Sequence, residues 1–210
     1  MNNGGEKPVG RAVAIGGSAG GFEALSILMA GLPPDFPAPI LVVLHLHASD
    51  GGALAEHLDR LGRLTVVEPC DKERILPGRV YVAPANYHLL VERDGCIALS
   101  TEEKLNWSRP SIDVMLESAA RFWGPDLIAI ILSGANADGA QGLKAVKAAG
   151  GLTMAQNPAE ASYGVMPQAA IDTGSVGLVL DIAEIAHRLP DLVSRGKTGS
   201  APCRPSGKAF

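Results

Sequence analysis

The sequence feature that most constrains the fold is a glycine-rich turn between an apolar segment and an amphipathic one. Residues 12–15 form an uninterrupted apolar run, which predicts a short buried strand. Residues 22–29 carry apolar side chains at helical spacing, so the turn Gly16-Gly17-Ser18-Ala19-Gly20-Gly21 joins a strand to a helix. Glycines accept backbone angles that other residues avoid, and they let a ligand approach the main chain closely. The sequence therefore predicts a sharp turn with one reactive side chain, the hydroxyl of Ser18.

Two interpretations of this turn are open. Residues 16–20 fit the Gly-x-Ser-x-Gly pattern, in which a strand-to-helix turn exposes a nucleophilic serine above a sheet. The free N–H groups at the start of the helix can then stabilise an oxyanion. The alternative is an anion-binding or purely structural turn. Known phosphate loops fit less well, because the dinucleotide fingerprint needs a glycine where Ser18 stands and a Walker loop needs a lysine that is absent.

Composition limits the class of protein. The chain has 210 residues and a net charge of -4, which gives no electrostatic case for binding nucleic acid or an anionic membrane. Cys70, Cys96 and Cys203 form no metal-ligand spacing and no disulfide framework, which indicates a reducing, cytoplasmic setting. We find no signal-peptide pattern and no apolar run long enough to cross a bilayer, so we expect no membrane insertion.

Strand and helix patterns alternate along most of the chain. The predicted strands are 12–15, 40–44, 64–67, 127–132, 152–155 and 176–180, and the predicted helices are 22–29, 53–61, 110–123, 140–149, 167–172 and 182–193. This alternation predicts an α/β fold, a doubly wound, mostly parallel sheet with helices on both faces. Short strand patterns at 79–83, 88–93 and 96–100, with Asp94-Gly95 as a hairpin turn, predict a small antiparallel insert. We expect one domain over residues 11–194, with disorder in 1–10 and 195–210.

Three polar side chains directly follow predicted strands. Ser18, His45 and Asp138 are therefore expected on one edge of the sheet, outside the carboxyl ends of the strands, where ligands bind in such folds. A serine hydroxyl needs a base to take its proton, histidine is the usual base, and a carboxylate fixes the histidine tautomer. The sequence thus predicts a Ser-His-Asp triad. Its chain order differs from the Ser-Asp-His order of the α/β-hydrolases.

The choice of histidine is open on spacing alone. His47 lies two residues after His45 and points to the same side of an extended chain. His45 is nearer the strand and is expected to be held more rigidly. His57 lies in a predicted helix, His88 begins a hairpin strand and His187 lies in the last helix, so these three are predicted to be surface or structural residues.

The choice of acid also has alternatives. Asp181 and Glu68 end strands as well. Asp138 is favoured because its loop consists of small residues and follows the most apolar run of the chain. Asp138 could instead cap the helix that begins at Ala140.

Several motifs occur in the order in which they occur in one known family. They are Ile15-Gly16-Gly17-Ser18-Ala19-Gly20-Gly21, the strand ending in His45, the segment from Leu76-Pro77-Gly78 to Pro84, the segment from Arg109-Pro110-Ser111 to Val114, the segment from Leu132-Ser133-Gly134 to Asp138-Gly139-Ala140, and Ala155-Gln156-Asn157. On these motifs, residues 11–194 resemble the catalytic domain of the chemotaxis protein-glutamate methylesterases, the CheB family.

The resemblance implies a seven-stranded parallel α/β domain with a small hairpin. It implies hydrolysis of glutamate γ-methyl esters on a methyl-accepting chemoreceptor, with release of methanol, and some members also deamidate receptor glutamines. It assigns Ser18 as nucleophile, His45 rather than His47 as base, and Asp138 as the group that orients the base. It implies no metal and no organic cofactor.

Further residues are candidates for substrate contact. The Ala19 N–H is the expected oxyanion donor, and Gly17, Arg109 and Ala135 are further candidates for oxyanion or substrate binding. Arg109 could equally be a solvated arginine before a helix start.

The chain also departs from the family pattern. About ten residues precede the first strand, so we expect no phosphorylatable receiver domain in this chain and a separate response regulator or methyltransferase as a further partner. The loop Ala135-Asn136-Ala137 replaces the Gly-Met-Gly-Asn type of segment of better-known members, which affects substrate identity and rate. These departures leave two alternatives, a catalytically weak receptor-docking or scaffold module and a general small-ester hydrolase.

Overall fold

A computed structural model describes residues 10–45, 51–61 and 63–194. In this part of the chain, nine strands and six helices follow one another with one 3₁₀ turn, Gly124–Asp126. The strands are β1 (Ala12–Gly17), β2 (Ile40–Leu44), β3 (Thr65–Val67), β4 (Arg79–Val82), β5 (His88–Val91), β6 (Ile97–Ser100), β7 (Leu127–Ile131), β8 (Leu152–Gln156) and β9 (Leu178–Leu180). The helices are α1 (Gly21–Gly31), α2 (Ala53–Arg60), α3 (Ile112–Trp123), α4 (Ala140–Ala148), α5 (Val165–Asp172) and α6 (Ile182–Ser194).

The strands form one large parallel sheet and one small antiparallel pair. The large sheet has the strand order β3-β4-β2-β1-β7-β8-β9, and its neighbouring strands pair in parallel. Strands β5 and β6 pair with each other in antiparallel fashion. The predicted doubly wound parallel sheet with a hairpin insert is confirmed.

The prediction that residues 79–83 belong to the antiparallel insert is wrong. Strand β4 pairs in parallel with both β2 and β3, so it lies inside the large sheet. Val80, Tyr81 and Val82 are all buried, which means that both faces of the strand are covered. A continuous apolar run without alternation is typical of parallel strands that are buried on both faces, but a run this short does not show which sheet the strand joins.

Helices cover both faces of the sheet, as predicted. Alternate side chains of β1 point to opposite faces, with Val13 and Ile15 on one face and Ala12 and Ala14 on the other. The first face packs against α1, α2 and α6, and the second against α3, α4 and α5 together with the β5–β6 hairpin. The two buried clusters are thus separated by the sheet, as in other folds with helices on both sides of a parallel sheet.

Some predicted boundaries shift by a few residues. Helix α5 begins at Val165 rather than at Pro167, because a proline in the first turn removes an N–H group that has no partner within the helix. The predictions for His47 and for the ends of the chain, 1–9 and 195–210, lie outside the described residues. Among the helices of the described ranges, none has the length and apolar character needed to span a bilayer.

The strand order creates a crevice at the carboxyl ends of β1 and β7. The chain leaves β1 through α1 toward β2 on one side, and it leaves β7 through α4 toward β8 on the other. Ligands bind at such reversals of strand order in open α/β sheets. Ser18 follows β1, His45 follows β2, and the loop of residues 133–139 follows β7. These three strands are neighbours in the sheet, so the predicted site residues lie together at the carboxyl ends of the strands.

Candidate active site

Ser18 lies in the turn between β1 and α1. Its N–H donates to the carbonyl of Ser133 at 2.9 Å, and its own carbonyl accepts the N–H of Gly21 at 2.8 Å. Gly20 has φ +73°, and a Cβ there would lie 2.6 Å from Ser133 Oγ and 2.7 Å from Ser162 Cβ. Only glycine fits this position, and the turn therefore holds Ser18, which is partly exposed, in a fixed place above the sheet.

His45 directly follows β2, the strand that pairs with β1. Gly17 pairs with Leu44 across β1 and β2, and the His45 N–H donates to the Gly17 carbonyl at 3.1 Å. Adjacent strands lie about 4.8 Å apart. Among the described residues, no hydrogen bond joins the Ser18 hydroxyl to the His45 ring. In catalytic sites without bound substrate, the hydrogen bond between nucleophile and base is often long or not yet formed.

Asp138 is brought against the other side of the imidazole. Its Oδ2 lies 2.9 Å from His45 Nε2. The Asp138 side chain is buried, whereas the His45 side chain is 14% exposed, so the carboxylate supports the ring from the protein interior. The structure thus places all three predicted triad residues in one crevice and joins two of them directly.

The Asp138 carboxylate also caps helix α3. Oδ2 accepts the N–H of Ile112 at 2.7 Å, and Oδ1 accepts the N–H of Asp113 at 3.1 Å and the Ser111 hydroxyl at 2.9 Å. Oδ1 further accepts the N–H of Gly139 at 3.1 Å. The alternative that Asp138 caps the helix beginning at Ala140 is wrong, because the N-cap of α4 is Gly139 and the carboxylate turns instead toward α3.

These contacts decide the charge of Asp138. Burial raises the pKa of the carboxyl, but the hydrogen bond from His45 and the N–H groups of Ile112 and Asp113 together hold its pKa below the usual value. An ionised carboxylate beside an imidazole favours the Nε2–H tautomer and stabilises the imidazolium.

A second buried carboxylate, Asp113, lies in the first turn of α3. Burial raises its pKa to about 6, the Gly142 N–H opposes this rise, and the charge of Asp138 adds to it. Its Oδ1 accepts the Gly142 N–H at 2.7 Å, and its Oδ2 accepts from Asn106 Nδ2 at 3.3 Å. The sequence motif contained Asp113, but its role as a partner of the site was not predicted.

Asn136, which stands in the loop that departs from the family pattern, contacts both His45 and Asp138. Its Nδ2 lies 3.3 Å from His45 Nδ1, and its Oδ1 accepts the Asp138 N–H at 3.1 Å. An asparagine side-chain oxygen that accepts the backbone N–H two residues later is the usual geometry of an asparagine turn, so the turn itself was predictable. The contact with His45 depends on how β2 and β7 are placed, which the local sequence does not encode.

The N-terminus of α3 is held by another histidine. His88 is buried, its Nδ1 accepts the Ser111 N–H at 3.2 Å, and its Nε2 lies 3.1 Å from the Glu103 carbonyl. The prediction of a structural His88 is consistent with this arrangement. His57 lies on α2 against the ring of Phe22, with 4.8 Å between ring centroids, and His187 is exposed on α6.

The alternative acids lie far along the sheet. Glu68 follows β3 at one edge and Asp181 follows β9 at the other, each three strands from β1. The Asp181 carboxylate accepts from Asn157 Nδ2 at 2.9 Å. Only Asp138 reaches His45 among these three candidates.

The candidate oxyanion and substrate residues differ in their surroundings. The Ala19 carbonyl accepts the Ser133 hydroxyl at 2.8 Å, and no described residue accepts a hydrogen bond from the Ala19 N–H. Gly17 is a buried strand residue whose carbonyl holds His45, and Ala135 is exposed. Arg109 Nη1 donates to the carbonyls of Thr101 and Glu102 at 2.6 and 2.9 Å, so it fastens the loop before α3. The substrate-binding roles of these four residues stay predictions.

In the described ranges, no group of three or more His, Cys, Asp or Glu side chains lies close enough to hold a metal ion. The ligand-type side chains at the crevice, His45 and Asp138, are instead bonded to each other.

The known proteins that resemble this chain belong to one family. The family model for CheB methylesterase matches residues 13–189. The putative protein-glutamate methylesterase/protein-glutamine glutaminase of Leptospira interrogans serovar copenhageni is 45% identical over 176 residues, which cover 84% of this chain and 91% of that protein. Protein-glutamate methylesterase/protein-glutamine glutaminase 2 of Pseudomonas aeruginosa is 40% identical over 90% of this chain and 54% of its own length.

A solved structure matches as well. The Thermotoga maritima CheB methylesterase catalytic domain superposes with a TM-score of 0.85 at 36% identity, covering 89% of this chain and 100% of that one. This chain thus spans nearly all of the Leptospira relative but about half of the Pseudomonas one. On the family model, these identities and the superposition, the chain belongs to the CheB methylesterase family.

Proposed function

We propose that this protein is a serine hydrolase that removes γ-methyl esters from glutamate residues of chemoreceptors and releases methanol. The observation that carries the proposal is the 2.9 Å contact between His45 Nε2 and the buried Asp138 carboxylate, directly beside the turn that presents Ser18. Membership of the CheB methylesterase family and the names of the relatives support the substrate class.

Ser18 is the nucleophile and His45 is the base in this proposal. Because Nε2 faces Asp138, Nδ1 is the ring nitrogen that remains for the serine proton. The Ser18 Oγ attacks the ester carbonyl while its proton passes to Nδ1. Negative charge develops on the carbonyl oxygen, where the Ala19 N–H at the start of α1 is the proposed donor.

The same histidine completes the reaction. It returns the proton to the departing methoxide, so methanol leaves and the glutamyl group stays on Ser18 as an ester. Water then gives a proton to His45 Nδ1 and attacks the acyl-enzyme, which releases the free glutamate and regenerates the serine. Asp138 keeps the imidazole oriented and stabilises its protonated form in both halves.

Receptor glutamines are a second class of substrate in the proposal. The printed names of the Leptospira and Pseudomonas relatives include protein-glutamine glutaminase. The same acyl-enzyme forms from an amide when ammonia replaces methanol as the leaving group. We propose deamidation as a second activity of the same three residues.

The non-catalytic scaffold is not favoured as an alternative. A module that only docks to receptors has no use for a buried, ionised carboxylate that is bonded to a histidine next to a constrained serine turn. A chemoreceptor is the proposed protein partner, a response regulator or methyltransferase is a proposed further partner, and the dispersed cysteines support a cytoplasmic location.

The proposal is tested by methanol release from a methylated receptor. We expect release by the wild-type protein and a fall to background for Ser18→Ala. Ser26→Ala is the matched control, because Ser26 lies on the following helix and its hydroxyl donates to the Phe22 carbonyl and lies 3.5 Å from His57 Nε2. Undiminished release by a folded Ser18→Ala protein would rule out the assigned nucleophile.

A further inference from the structure

The side chain of Asn136 makes two contacts at the candidate triad that together fix its orientation. Its Oδ1 accepts the backbone N–H of Asp138 at 3.1 Å. An N–H group can be met only by the oxygen end of the amide, so the NH₂ end points the other way. That end lies 3.3 Å from His45 Nδ1.

The same orientation fixes the proton on the His45 ring. Because Asn136 presents a donor to Nδ1, this nitrogen must carry a lone pair, and the ring proton therefore sits on Nε2. The proton on Nε2 is donated to Asp138 Oδ2 at 2.9 Å. Both contacts therefore require the tautomer of His45 with its proton on Nε2. The lone pair on Nδ1 accepts from the Asn136 amide.

From this geometry we propose that Asn136 acts through His45 to restrain catalysis, because it occupies the lone pair that must take the Ser18 proton. The proposal rests on the proposed function, since it assumes that Ser18 reacts through His45. In the resting site the amide stabilises neutral imidazole. Once Nδ1 is protonated, two donors face each other and the contact is lost.

An interaction that is stronger in the resting state than in the transition state raises the barrier. Orientation of the ring does not need the amide, since the buried Asp138 carboxylate is itself fixed by four further donors. Removing the Asn136 donor should therefore speed proton transfer. A neutral hydrogen bond of ordinary strength corresponds to an increase of about two- to tenfold.

The test uses a fluorophosphonate probe on the 210-residue chain. In this reaction the bond between Ser18 Oγ and phosphorus forms, the P–F bond breaks, fluoride leaves, and the serine proton passes to His45 Nδ1. Asn136→Ser retains a side-chain oxygen for the Asp138 N–H but is too short to reach His45. We expect its second-order labelling rate to rise about two- to tenfold over wild type.

The chain offers a matched control at the same end of the sheet. Asn157 makes the same kind of turn, with its Oδ1 accepting the Ala159 N–H at 3.1 Å, but its Nδ2 donates to Asp181 instead of a histidine. Asn157→Ser should label at the wild-type rate. A rate for Asn136→Ser that equals or falls below that of wild type overturns the proposal.

A second measurement does not depend on turnover. In ¹⁵N-histidine-labelled protein, the His45 ring resonances are assigned as those that disappear in His45→Gln. In Asn136→Ser, loss of the amide donor should move the His45 Nδ1 resonance toward that of an unbonded nitrogen. The Nε2–H signal should stay in place, because Asp138 still accepts it. An unchanged Nδ1 resonance contradicts the proposal even if every protein labels well. Absence of labelling in wild type instead counts against the proposed function.

Discussion

The loop after β7 and the first turn of α3 each bury a carboxylate, and the two carboxylates have opposite pKa shifts. Burial raises the pKa of both, but Asp138 accepts hydrogen bonds from His45 and from the start of α3, and these lower its pKa below the usual value. Asp113 has fewer donors and lies next to the charge of Asp138, so its pKa rises to about 6. The comparison shows that the number of donors, rather than burial, decides which carboxylate stays charged.

The largest expected difference between the two carboxylates is in catalysis. Asp138→Asn should lower kcat/KM for methyl-ester hydrolysis about 10³- to 10⁴-fold, because the amide no longer holds the Nε2–H tautomer of His45. Asp113→Asn should retain activity within about tenfold, since Asp113 makes no contact with the imidazole. Methanol release measures both. Equal losses in the two variants would remove the functional distinction between them.

The next largest expected effect is on how the unfolding free energy depends on pH, through Asp113. The folded-state pKa of Asp113, about 6, lies above its usual value of 3.8. The stability associated with its protonated form is therefore complete below pH 4 and is lost as the pH rises through 6. Relative to Asp113→Asn, wild type should lose about 1 to 3 kcal/mol of unfolding free energy between pH 4 and pH 8.

Urea unfolding across this pH range provides the measurement. A difference in unfolding free energy between Asp113→Asn and wild type that stays constant across this range would show that Asp113 titrates normally.

A smaller effect on stability and activity is expected from removing Ser111, one of the hydrogen-bond donors to Asp138. Ser111→Ala removes a buried hydroxyl that donates to Asp138 Oδ1 at 2.9 Å, and it should cost about 1 to 2 kcal/mol of stability. It should also slow hydrolysis severalfold, since the carboxylate is less well fixed. Ser118→Ala is the control: Ser118 is also buried, and its hydroxyl bonds Val91 and Met115 away from the site. Ser118→Ala should lose stability alone.

The smallest expected effect is on the stability of the turn formed by residues 105–108, in which Asn106 donates to Asp113. Asn106 and Trp107 have φ of +49° and +64°, and Ser108 N–H bonds the Leu105 carbonyl at 2.9 Å. Glycine is preferred at the second central position of such a turn, and Trp107 is 94% exposed, so its ring gains little from folding. Trp107→Gly should raise the unfolding free energy by about 0.5 to 1 kcal/mol.

Leu105→Gly provides the comparison for that turn. Leu105 lies outside the positive-φ positions and is partly covered, so the substitution should destabilise the protein. Urea midpoints for the two variants should move in opposite directions. Destabilisation by Trp107→Gly would indicate that the indole stabilises the folded turn.

Much of the fold could be predicted because its signals are local. The strands that form the core of the sheet are continuous apolar runs, and the glycine turn at Ser18 has steric reasons that the sequence displays. Strand β4 was misplaced because a four-residue apolar run near a true hairpin does not show which sheet it joins. That choice depends on pairing with β2 and β3, which are distant in sequence.

The candidate site was predictable in part for the same reason. Ser18, His45 and Asp138 all follow strands, and parallel strands bring their carboxyl ends to one edge. The donors around Asp138 come from the start of α3, and the contact of Asn136 with His45 crosses from β7 to β2. Such contacts depend on how helices and loops pack, and no spacing in the sequence encodes them.

The most direct measurement is to find which residue reacts with a fluorophosphonate, by peptide mass spectrometry on the folded protein. We predict a single adduct on Ser18, formed in wild type and strongly slowed in His45→Gln and Asp138→Asn. Ser133 is the neighbouring hydroxyl, buried and bonded to the Ala19 carbonyl, and it should stay unmodified. An adduct on another residue, or equal labelling of Ser18 in the three proteins, would contradict a Ser18–His45–Asp138 hydrolase.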